Sequence, residues 1–339
     1  MQNKQTKLLF ESWRRFLNEQ DDSSAKSSEL SKKLFAAFKA GPAATKAFLN
    51  SAEGQSEELH NILTSGLTVD KTQDDDVVQI SEPTEISVAG KIPTQNFIDL
   101  MQSVSFPLGS LEKLLELLKT KKGYGTIVID GDLVIDGHHR WSGVFGFFPK
   151  DGKIDAINVS WPGQNTLEKL AAAQLSIAGH IGANKAQPEA TGDVATDILG
   201  KSAEEIANMI MANVNKQTDK NAKGPMLNDA MMEQIVKDKE GAKMVYQWAG
   251  LDPAVNDVNQ IRKAIAKKVG ENLSKIPSNK QAPARADMPQ FDPKRGGPEL
   301  KDVIPSLKGG KLNITPPFVK ESIQKNLKKY ILEEIKKNR

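Results

Sequence analysis

Asp136-Gly137-His138-His139-Arg140 is the run of residues in this chain whose types and spacing best suit chemistry. It follows the apolar run LVI and precedes WSGVFGFF, whose apolar spacing can begin a helix. A glycine at a strand-to-helix junction exposes first-turn N–H groups, and the helix dipole adds to their attraction for an anion such as phosphate. Arg140 brings a guanidinium able to pair two phosphate oxygens. Either His138 or His139 can carry a proton near neutral pH or donate to a phosphate, while Asp136 can hold a metal or orient a histidine. The same five residues also suit a plain turn. Asp-Gly is ordinary turn sequence, adjacent histidines in a strand face apart, and an arginine can pair with a structural carboxylate.

The elements that must position the motif can be read around it. IVI and LVI flank Asp130-Gly131-Asp132, a strong hairpin signal. Upstream, DDVVQI and TEISVAGKI read as short strands, and LGSLEKLLELLKTKKG as a helix ending on Gly123. Downstream, IDAINVSW reads as a strand and NTLEKLAAAQLSIAG as a helix that finishes near His180. A histidine at a helix C-terminus usually compensates the dipole, with a secondary place in the site as the alternative. Residues 75–185 are thus expected to form an α+β unit with a small mixed sheet.

With that order in view, DGHHR at 136–140 resembles the loop of the ParB/sulfiredoxin superfamily, in which a strand leads into a short Gly-x-x-Arg turn at a nucleotide site. IPTQ at 92–95 resembles the segment after the first family strand, and residues 108–140 follow the family's order of helix, glycine, strand, turn, strand and motif. The resemblance covers roughly a third of the chain. It implies that Gly137, His138, His139 and Arg140 form a phosphate-binding loop beside Asp136, with catalytic roles for His138, His139 and Asp136. Sulfiredoxins carry a catalytic cysteine where this chain has His138, so their thiol chemistry is excluded. The histidine pair is closer to the kinase-like and nuclease-like branches. Kinase-like members use an acidic base, for which Glu82, Glu85 and Glu112 are available, with Glu85 taken as a secondary site residue.

Outside that unit, Leu9, Trp13, Phe16 and Leu17 mark an amphipathic helix over 1–20, followed by linker and helices over 21–74, with a break at Gly41-Pro42. Residues 193–276 read as three helices without strands. Its LGKSAEEIANMI has a passing similarity to the first helix of a helix-turn-helix, but packing explains these helices better than DNA binding. Residues 277–317, rich in Pro, Gly and Lys, read as an extended arm. A last amphipathic helix over 318–339 repeats an apolar residue every four positions from Val319 to Ile335. The final 39 residues hold ten Lys or Arg against four Asp or Glu, a local excess that can attract phosphate backbones or acidic proteins.

Composition narrows the classes. The 46 basic and 43 acidic residues leave a formal charge of only +3, so the chain as a whole is not a strongly basic nucleic-acid binder. The absence of cysteine excludes disulfides, thiolate zinc sites and thiol catalysis. No apolar run approaches the roughly 20 residues that span a bilayer, and the first residues lack the apolar centre of a secretory signal. A cytoplasmic protein is expected, with no membrane partner. The leading expectation is a ParB-like domain that binds a nucleotide or nucleic-acid phosphate, with Mg2+ arriving alongside it, and that hosts phosphodiesterase, nuclease or phosphotransfer chemistry. The alternative is a virion-associated interaction protein, because the terminal segments look like those of tailed bacterial viruses. In that case the domain is a scaffold and the end helices dock on a capsid or another protein.

Overall fold

The computed structural model describes residues 29–65, 78–182, 196–216, 224–289 and 299–314. The amphipathic helices expected over 1–20 and 318–339 lie outside these residues.

Residues 29–40 form helix α1, which ends at Gly41, a residue with φ of 99°. Pro42 then opens α2 (Pro42–Leu49), its missing N–H costing nothing at that position. Helix α3 (Glu57–Leu63) is capped by Ser56. The strands β1 (Thr84–Ser87) and β2 (Ile92–Pro93) lead to α4 (Leu100–Leu108) and α5 (Leu111–Thr120). Next come β3 (Lys122–Asp130), β4 (Leu133–Asp136), α6 (His138–Phe145), β5 (Lys153–Asn158) and α7 (Thr166–Ile181). Helices α8 (Ala203–Ala212), α9 (Asp229–Lys237), α10 (Lys243–Ala249), α11 (Val258–Leu273) and α12 (Leu300–Lys308) complete the order. No helix among the described residues is long and apolar enough to cross a membrane.

The protein is mixed α+β, with one five-stranded sheet in the order β1-β5-β3-β4-β2. The β1/β5 and β3/β4 pairs are antiparallel, and β3/β5 and β2/β4 are parallel. The hairpin read around Asp130-Gly131-Asp132 is present: Asp130 pairs with Leu133, and a register shift after Val128 brings Val128 opposite Asp136. The chain divides into two compact units. The sheet and the helices from α8 to α11 share the unit made of Gln79–Ser160 and Pro188–Met288. The other unit comprises Met1–Val78, Trp161–Gln187 and Pro289–Arg339, so far as they are described. The expected unit 75–185 is therefore divided, its sheet lying in one unit and α7 in the other.

In the sheet unit one apolar core runs from Ile127 and Val134 on the strands through Val104, Leu114 and Trp141 to Ile206, Ile235 and Ile265 on the later helices. Phe147 stacks on Trp248 with ring centroids 5.0 Å apart, and Asn272 Nδ2 donates to the carbonyl of Gly146 at 2.9 Å. The helical region expected to follow the sheet is thus packed on it, within the same unit. In the other unit α7 packs against α2, α3 and α12, and Glu168, buried near its start, pairs with Lys39.

Several local expectations are corrected. Helix α5 ends at Lys121, which takes the left-handed conformation (φ 54°), so Gly123 lies inside β3 instead of closing the helix. Helix α4 was not anticipated, although Asp99 caps it by accepting the N–H of Gln102. One of the three helices expected within 193–276 is two, α9 and α10, because Asp238 leaves the helix and its carboxylate accepts the N–H of Gly241. The stretch 277–317, expected as an extended arm, contains a 3-10 turn at Arg285–Asp287 and the helix α12, whose Leu300, Val303, Ile304 and Leu307 are buried. Leucine and valine at helical spacing outweighed the surrounding Pro and Gly.

Candidate functional site

The motif sits where β4 ends and α6 begins. Gly137, the N-cap of α6, has φ of 86° and ψ of 27°. A Cβ there would stand 2.6 Å from Ile127 Cγ2, so both backbone and space require glycine. No side chain caps α6, and its first intrahelical bond runs from the N–H of Trp141 to the carbonyl of Gly137. The N–H groups of the first turn therefore have no acceptor within the helix.

Arg140 lies over two glycines. Cβ atoms at Gly125 and Gly137 would approach its Cδ at 3.2 Å and its Nε at 3.1 Å, respectively. Its Nη2 stands 3.5 Å from Asp136 Oδ2, and both side chains are about one third exposed. Three further ties hold the helix that carries it. Trp141 Nε1 donates to the carbonyl of Val88 at 3.0 Å, the hydroxyls of Ser142 and Ser103 are 2.8 Å apart, and α6 packs on β3.

The two histidines face the same segment. Nε2 of His138 accepts the backbone N–H of Thr94 at 3.1 Å, and Nε2 of His139 accepts that of Asp99 at 3.3 Å. Thr94 in turn donates its hydroxyl to the carbonyl of Val134 at 2.6 Å. Nitrogens that accept carry no proton, so each neutral ring holds its hydrogen on Nδ1. Burial pushes His138 down to about 3, helped by the Arg285 charge and opposed by the Val134 carbonyl. His139 is only partly buried and is also held below its ordinary value, by burial first and then by Arg285, His138 and Arg140. Both rings are neutral at pH 7.

The residues gripped by the histidines touch a third segment. Arg285 Nη1 donates to Gln95 Oε1 at 3.3 Å, and its guanidinium lies 5.8 Å from the centre of the Phe97 ring, a cation–π approach. The N–H of Asn96 donates to the carbonyl of Pro283 at 3.2 Å. Burial lowers the Arg285 pKa, with the Asp99 carboxylate countering it. Asp99 accepts from Gln102 N–H at one oxygen and from the Thr196 hydroxyl at the other. The candidate site is therefore built from 94–99, 136–140 and 285.

Asp136, Gly137, His138, His139 and Arg140 come together as expected from their proximity in sequence. Glu85 lies on β1, separated from β4 by β5 and β3, and forms ion pairs with Lys153 (2.8 Å) and Lys122 (3.5 Å). His180 belongs to the other unit, where its Nδ1 stands 2.9 Å from the Ser306 hydroxyl. Glu112 is on α5 beside Lys113, and Glu82 precedes β1. Sequence reasoning missed Asp99 and Arg285. Asp99 carried a detectable signal, an N-cap residue before a helical apolar stripe; a lone arginine in APARAD carried none. Among the described residues, no three His, Asp or Glu side chains converge as a metal-binding group.

No protein-family model, curated protein or solved structure matches the chain.

Proposed function

We propose that this protein binds a nucleotide or a related phosphate ester at the loop Gly137–Arg140, in a domain that resembles the ParB/sulfiredoxin superfamily. The observation that carries the reading is Arg140 laid across Gly125 and Gly137 at an uncapped helix N-terminus. There a guanidinium fork and first-turn N–H groups that have no acceptor within the helix serve one anion together. Mg2+ would arrive bound to the phosphates, with water completing much of its octahedral shell.

In this reading the histidines are positioning residues. A neutral ring with its hydrogen on Nδ1 and its Nε2 lone pair engaged by a backbone N–H has no free site to accept a proton. They hold the 94–99 segment against the loop, so the function is binding first. Phosphate-ester cleavage or transfer would need its base from the ligand side or from a carboxylate.

Titration of the full chain with ATP, CTP and GTP in the presence of Mg2+ tests this. Saturable binding that weakens as salt rises, and by at least about tenfold in Arg140→Ala, is expected. Equal affinity in the variant would remove the loop from the site.

A further inference from the structure

Gln95 is 4% exposed, and its Nε2 has no hydrogen-bond partner among the described residues. Its orientation is fixed by its neighbour. Arginine can only donate, so the atom facing Arg285 Nη1 must be the amide oxygen, which turns the NH2 the other way. Thr94 is bonded to His138, and Asp99 to His139, so Gln95 is held within the segment that closes on the 137–140 loop. A buried donor without an acceptor is costly, and native proteins keep few of them.

We propose that Gln95 is a specificity residue of the phosphate site, donating from Nε2 to a neutral acceptor on the organic part of the ligand, with Arg285 holding the amide in that orientation. The inference rests on the phosphate reading above. The charged group has its donors already, in Arg140 and the first turn of α6. A neutral, deeply buried amide matches a carbonyl oxygen or ring nitrogen better than a second anion, whose burial costs far more. The ligand class is thus a nucleotide, a phosphate joined to a base rich in such acceptors, in preference to a bare phosphate.

Parallel titrations with nucleoside triphosphates and with inorganic tripolyphosphate, both with Mg2+, separate the two ideas. Gln95→Met, neutral and of similar size, should weaken the best-bound nucleotide about tenfold and change tripolyphosphate by no more than about twofold. Arg140→Ala should weaken both. Gln95→Glu keeps an acceptor for Arg285 and the side-chain shape, and should lose the nucleotide as well if it unfolds at the wild-type denaturant concentration. Equal losses for both ligands in Gln95→Met, or no loss for either, would overturn the role of Gln95 while leaving the phosphate site standing. Wild-type protein that binds neither ligand would overturn the phosphate reading, and this inference with it.

Discussion

The backbone N–H of Thr94, a fully buried residue, donates to Nε2 of His138 at 3.1 Å. This bond joins the segment after β2 to the first turn of α6. It makes His138 a fastener of the site. His138→Ala should therefore destabilise the fold by about 2–5 kcal/mol, since it opens a cavity and strands a buried donor. His138→Gln, which can still accept, should lose less. Denaturant unfolding monitored by tryptophan fluorescence checks both.

The same ring gives a pH dependence with a definite sign. His138 titrates near 3 in the fold and near 6.5 when unfolded. Between those values the unfolded chain binds the extra proton, so stability falls as pH drops through this window and is constant above it. The contribution is on the order of a few kcal/mol at most. Carboxylates add slopes of their own, so the measurement is the difference between wild type and His138→Gln, whose stability curve should be flatter from pH 6.5 down to 4.

Gly125 and Gly137 should separate in their effects. Gly137→Ala forces a Cβ against Ile127 at a positive φ and should cost at least about 2 kcal/mol of stability. Gly125→Ala also sits at positive φ (73°), but its nearest neighbour is the flexible Arg140 side chain. It should displace Arg140 and weaken phosphate binding several-fold beyond what its milder stability loss explains. Binding isotherms collected well below the unfolding temperature distinguish the two.

Arg262 provides a control outside the site. Its Nε donates to the carbonyl of Leu227 at 2.9 Å and its Nη2 to Asp229 at 2.5 Å. Arg262→Met leaves that carbonyl without its donor and should destabilise by about 1–3 kcal/mol. Phosphate affinity should stay unchanged. A parallel loss of affinity would mean that the helical region takes part in binding.

The local elements were legible because their signals are local. Gly41-Pro42 ended one helix and began another, Asp130-Gly131-Asp132 turned the hairpin, and LVI before DGHHR placed a strand end against a helix start. Each depends on φ restrictions or apolar period within a few residues. The sequence by itself thus determined the α+β class and the five consecutive residues at the centre of the candidate site.

The tertiary structure alone decided what those residues face. Whether two adjacent histidines share a site depends on the left-handed turn at Gly137 and on the path of 94–99, which brings both Nε2 atoms onto one segment. Glu85 was claimed by lysines on its own side of the sheet, and His180 by Ser306 in the other unit. Arg285 reaches Gln95 across 190 residues of chain. Side-chain pairing at that separation is set by how the elements pack. No propensity or period within a local window encodes it.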